Sequence, residues 1–145
     1  MAFDYALQKV LEYKEFEKSE AQGEYQNAID DFEEIATELY QLLKQKEELL
    51  KSYDEKLQHG IPIATIQHIQ ETLQFLQQRI ARLQTATQRA RAQMNDKQKV
   101  LTVFAVDVKK YEKLKEKKRD IYKEKIKMEE NKFLDEISVQ QFMKR

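Results

Sequence analysis

Two heptad seams, one in each half of the chain, are mirror images about residue 61. The first runs through Leu7, Leu11, Lys14, Lys18, Ala21, Tyr25, Ala28, Phe32, Ile35, Leu39, Leu42, Lys46, Leu49 and Tyr53. The second runs through Ile69, Leu73, Leu76, Ile80, Leu83, Thr87, Ala90, Met94, Lys97, Leu101, Phe104, Val108, Tyr111 and Lys115. Both alternate steps of three and four, the spacing of a left-handed coiled coil. If the chain folds back between them, each seam residue meets one whose number completes a sum of 122, from Tyr53–Ile69 to Leu7–Lys115. Two unrelated helices would not share that register. The predicted fold is all-α: an antiparallel coiled-coil hairpin whose second helix overhangs the first.

Turn chemistry agrees with this. Gly60 suits the left-handed position just after a helix, and Pro62 cannot continue one. Helix 1 is expected over about residues 3–58, a turn over about 59–64, and helix 2 over about 65–140, with Thr65 as its N-cap. The whole of residues 1–145 forms one hairpin of roughly 80 Å in this reading. Gly23 falls inside helix 1, where it costs about 1 kcal/mol relative to alanine, so it marks a weak point or a close approach.

Charge supports the pairing of unlike halves. Charged residues make up 36% of the chain, too many for an ordinary globule with only two glycines and one proline to make its turns. Residues 1–60 hold 15 acids and 7 bases, net −8, whereas residues 61–145 hold 11 acids and 19 bases, net +8. Small residues face large ones across the predicted seam: Ala28–Met94, Ala90–Phe32, Ala21–Leu101. Seam lysines 14, 18, 46 and 97 can lay their methylenes over bulky partners. The turns farthest from the loop are the least apolar and are expected to fray first.

Two features exceed what a self-contained hairpin needs. Ile29, Leu43, Leu50 and Leu57, with Ala36 between, lie beside the first seam at seven-residue spacing. With Tyr40 and Phe75 they would widen the apolar face near the loop beyond what two helices bury. The second feature is the overhang: by the sum rule residues 122–145 have no mate, yet Tyr122, Ile126, Phe133 and Ile137 keep helical spacing. A lone helix of that length is marginal in water, so the stretch either frays or docks on a partner. Just before it, residues 109–127 carry ten Lys/Arg and four Asp/Glu, a solvated face or a site for an acidic protein surface. Nucleic acid is not expected, because no aromatic-basic platform or DNA-binding module accompanies the charge.

Catalytic chemistry is not expected. His59 and His68 lack further ligands at metal spacing, and there is no cysteine. Two glycines cannot build a phosphate loop, and carboxylates along an open rod have no dry pocket to raise a pKa. The reading is therefore no enzyme, no metal and no cofactor. No apolar run spans a membrane and no signal peptide opens the chain, so a cytoplasmic location is expected.

A resemblance covers nearly the whole chain. It rests on Phe3-Asp4-Tyr5, Leu7-Gln8-Lys9-Val10-Leu11, Tyr13-Lys14-Glu15, Leu39-Tyr40 with Leu42-Leu43, the Gly60 turn, Lys110-Tyr111-Glu112-Lys113-Leu114 and Leu134-Asp135-Glu136. In these the chain resembles the flagellar export protein FliJ family, Gram-positive type. The resemblance implies a component of the flagellar type III export apparatus, similar to the rotor stalk of rotary ATPases. Such a stalk inserts into the hexameric export ATPase, contacts the cytoplasmic domain of the export gate, and escorts export chaperones or substrates. It would sit at the flagellar base, peripheral to the membrane through protein partners alone.

Exposed basic and apolar character then nominates contact residues. Lys110, Lys113, Lys117, Arg119, Tyr122, Ile126 and Phe133 are the candidates for the ATPase. Tyr40, Leu43, Leu50 and Phe75 are the candidates for the export gate. A stalk of a non-flagellar type III system, a general holdase or escort, and a purely structural coiled-coil spacer are the alternatives.

Overall fold

The computed structural model describes residues 2–144. It is an all-α hairpin of two helices packed against each other: α1, Gln8–His59, and α2, Ile63–Met143. The connection is short because Gly60 adopts φ +80°, a left-handed conformation that costs glycine little. Gly60 N–H donates to the Leu57 carbonyl at 3.4 Å, closing the last turn of α1. Pro62 then starts α2 with its carbonyl, which accepts from Thr65 N–H at 3.1 Å and Ile66 N–H at 3.2 Å. Thr65 thus lies inside the first turn rather than capping it, since Pro62 already has the fixed φ that a helix start needs.

All 28 seam residues are buried or half-buried, and none is exposed. The described residues form two compact units. One is Ala21–Leu101, and the other comprises the described parts of Met1–Glu20 and Thr102–Arg145.

Within Ala21–Leu101, Leu42, Leu76 and Ile80 form a buried cluster, with Leu39, Leu49 and Leu83 packed against it. Ala21, Ala28 and Ala90 are also buried, where small side chains let the helices approach. Charged groups bridge the two helices along one edge. Arg79 donates to Glu38 at 3.2 Å and Lys97 to Glu24 at 3.0 Å. Their numbers add to 117 and 121, so long side chains reach up to about one turn along the register. Arg91 lies over the Phe32 ring at 5.5 Å. A Cβ added at Gly23 meets nothing within 4 Å, so it is no close approach.

The other unit departs from the sequence expectation. Helix α1 begins at Gln8, not near residue 3, and residues 2–5 carry no helix. Non-helical backbone advances about 3.3 Å per residue against 1.5 Å in a helix. The Phe3 ring thus reaches three residues farther along α2 than the sum rule gives, whereas Tyr5 turns back toward Val108 and Tyr111. The Phe3 ring packs on Tyr122 at 5.5 Å. Tyr5 is only 4% exposed and joins Leu11 and Val108 in a buried cluster, with Phe3, Leu7 and Tyr111 around it. Its hydroxyl donates to the Tyr111 carbonyl at 3.3 Å. The end expected to be the least apolar thus carries an aromatic clasp, invisible to heptad counting because it lies outside the helix. Tyr122 belongs to that clasp, so the stretch of α2 beyond the reach of the amino terminus starts after it.

Candidate interaction surfaces

Heptad lettering locates every candidate. With Leu11 and Leu39 at position a of α1, and Leu73 and Ile80 at position a of α2, Glu38 and Arg79 both occupy position g. Their ion pair shows that the two g positions share one edge, as in any antiparallel pair, and the two e positions share the other.

The candidates for the gate fall on both edges. Leu43 and Leu50 occupy position e of α1 and are 42% and 40% exposed. Leu57 continues the line, exposed, and Ile29 and Ala36 begin it, half-buried. Tyr40 is exposed one step outside it, at position b. Phe75 is exposed too, but at position c it lies toward the g edge. There it lines a shallow crease of about 360 Å³ with Gln78, Arg79, Arg82 and Leu83. The structure groups Tyr40, Leu43 and Leu50 and leaves Phe75 apart.

The candidates for the ATPase also divide. Steps of 100° per residue put Lys110, Lys113 and Lys117 on the face of α2 turned away from the seam, all exposed. Arg119 and Tyr122 belong to the clasp, since the Arg119 guanidinium stands 5.9 Å over Phe3 and Lys118 lies 5.9 Å from the Tyr5 ring. Ile126 is half-buried and Phe133 is 62% exposed. Between residues 123 and 144 only Ile126 and Ile137 are half-buried, and the rest are exposed. The seven-residue line through this stretch meets Lys125, Glu129, Lys132 and Glu136. Its apolar residues recur instead at eleven: Tyr122 to Phe133, Ile126 to Ile137, Met128 to Val139. An eleven-residue period does not continue a left-handed seam. One face forms an open hollow of about 740 Å³ lined by Ile121, Glu124, Lys125, Met128, Glu129, Asn131, Lys132 and Asp135. All eight belong to one helix, so it is a surface and not a pocket. Sequence reasoning missed Ile121 and the role of Phe3 and Tyr5; the helical spacing of Ile121 with Met128 was the available signal.

Among the described residues no polar or charged residue is buried. No group of His, Cys, Asp or Glu among them is placed to hold a metal ion. No described helix is long and apolar enough to cross a membrane.

The geometry defines a class: an all-α helical-hairpin protein with exposed apolar and basic faces. Comparison with known proteins gives the particular family. The family model "Flagellar FliJ protein" matches residues 3–145. A Flagellar FliJ protein from Bacillus subtilis (strain 168) is 37% identical over 143 residues, spanning 99% of this chain and 97% of that one. No solved structure matches. The chain belongs to the FliJ family and is a component of the flagellar protein export machinery.

Proposed function

We propose that the chain is a non-enzymatic stalk that binds the export ATPase ring at one end and the cytoplasmic domain of the export gate through its leucine edge. One observation carries the reading. Helix α2 continues past Tyr122 with Met128, Phe133, Leu134, Val139 and Phe142 all exposed. Apolar side chains in water on a helix of this length call for a partner. The adjoining lysines at 110, 113 and 117 suit an acidic rim around that partner. Tyr40, Leu43 and Leu50 supply the second contact, and the protein works in the cytoplasm at the flagellar base, held there by its partners.

The test compares the full chain with a form ending at Tyr122, which keeps the clasp. Export ATPase turnover and hexamer population are measured with each. Stimulation by the full chain alone supports a stalk docked through residues 123–145. Equal stimulation by both removes that assignment and keeps the stalk. No stimulation by either transfers the reading to an escort, for which suppression of aggregation of unrelated proteins is the measurement.

A further inference from the structure

The e edge of Ala21–Leu101 is unlike every other face of that unit. On α1, position e reads Gln22, Ile29, Ala36, Leu43, Leu50, Leu57, with no charge, and position b beside it reads Gln26, Glu33, Tyr40, Glu47 and Asp54, an acidic border. On α2, positions b and e from 67 to 88 read glutamine six times and Ala81 once, again with no charge. The next e residue, Arg91, lies over its own Phe32. The g edge, by contrast, carries the Glu38–Arg79 bridge and Glu24, paired with Lys97. In a chain with 36% charged residues, a neutral strip this long marks a surface where charge would be costly to desolvate.

We infer that this edge is a self-association surface, on which a second copy of the chain seats its own leucine-and-glutamine edge to give a four-helix bundle. Three observations favour a second copy. The first is area. From Ile29 to Leu57 the strip runs about 42 Å, and two helices are about 20 Å wide. The face, its acidic α1 border included, is therefore about 800 Å² per partner, the size a stable specific dimer uses. The second is self-complementarity: a two-fold contact presents the same patch to itself, and along its central strip, inside the acidic border of α1, no charge meets its like. Leucine side chains converge at the centre, while glutamine amides can both donate and accept. The third is the rim. Residues 21–59 hold ten acids and four bases, net −6, and residues 63–101 hold two acids and six bases, net +4. Crossing each α1 over the partner's α2 sets acidic helices beside basic ones, as within the hairpin itself.

This inference goes beyond the proposed stalk, and it shares Leu43 and Leu50 with the gate contact, so dimer and gate compete for one surface. Sedimentation equilibrium of the full chain over about a hundredfold range of concentration tests it. A monomer–dimer equilibrium is expected. In Leu43→Glu/Leu50→Glu the dimer constant should weaken by at least about a hundredfold with the helical circular dichroism unchanged. Phe75→Glu, on the other edge, should dimerise like wild type. If the leucine variant loses helix, Gln77→Lys/Gln84→Lys, at exposed positions, takes its place with the same expectation. A wild type that stays monomeric throughout overturns the inference. So does a dimer indifferent to both double variants, or one lost only on removing residues 123–145. A monomer whose gate binding falls in Leu43→Glu/Leu50→Glu gives the edge to a partner helix instead. Gate binding and ATPase stimulation are read separately, so a failed stalk leaves the dimer result intact.

Discussion

Leu42 and Leu43 are neighbours with opposite fates. The first is 7% exposed inside the cluster with Leu76 and Ile80, and the second is 42% exposed on the e edge. Leu42→Ala should lower unfolding free energy by about 3 kcal/mol, through lost burial and a residual cavity. Leu43→Ala should cost less than about 1 kcal/mol. Urea unfolding of the two variants measures the contrast, and similar losses would place Leu43 in the core. Gly23 is the converse case: exposed, helical and open around its missing Cβ. Gly23→Ala should stabilise by about 1 kcal/mol, visible as a higher urea midpoint. Seam membership was legible at this scale, because burial on a helix follows spacing alone. The edge on which each exposed residue falls is legible too, from its heptad position; apolar character alone groups Phe75 with Leu43, but position c sets it on the opposite side of the pair from position e.

At the scale of elements, the amino-terminal clasp and the far end of α2 behave oppositely. Residues 2–7 carry Phe3 and Tyr5 onto α2 near Val108, Tyr111 and Tyr122. Removing them should lower amide-exchange protection around residues 108–122 while Leu76–Leu83 keeps its own. Unchanged protection in both places would sink the clasp as a stabilising contact. Residues 123–144 pack on nothing comparable. A peptide of residues 123–145 should therefore show little helix by circular dichroism in water, since isolated helices of this length are marginal. Strong helicity in the peptide would mean that local propensity, not a partner, holds the stretch. The clasp escaped sequence reading because non-helical residues obey no helical register, and their reach depends on backbone they have not yet adopted.

Over the whole molecule, electrostatics selects pairing more than it stabilises. Among the described residues, the bridges between the helices, Lys14–Asp107, Glu24–Lys97 and Glu38–Arg79, all have side chains partly or largely in water. Exposed pairs of this kind contribute about 0–1 kcal/mol each and weaken with salt. Thermal unfolding should shift by only a few degrees between low and high ionic strength. A collapse of the hairpin at high salt would show instead that charge, and not the apolar seam, holds it.

The sequence by itself determined the all-α hairpin, its register and its buried residues, because a periodic seam, a left-handed glycine and one proline leave a helix pair few alternatives. It also carried the family, through segments spread along nearly the whole chain. Only the tertiary structure decided where α1 begins and how Phe3 and Tyr5 close over α2. Those depend on contacts between residues more than a hundred positions apart, Tyr5 with Tyr111 and Phe3 with Tyr122, whose geometry exists only once both helices are in place.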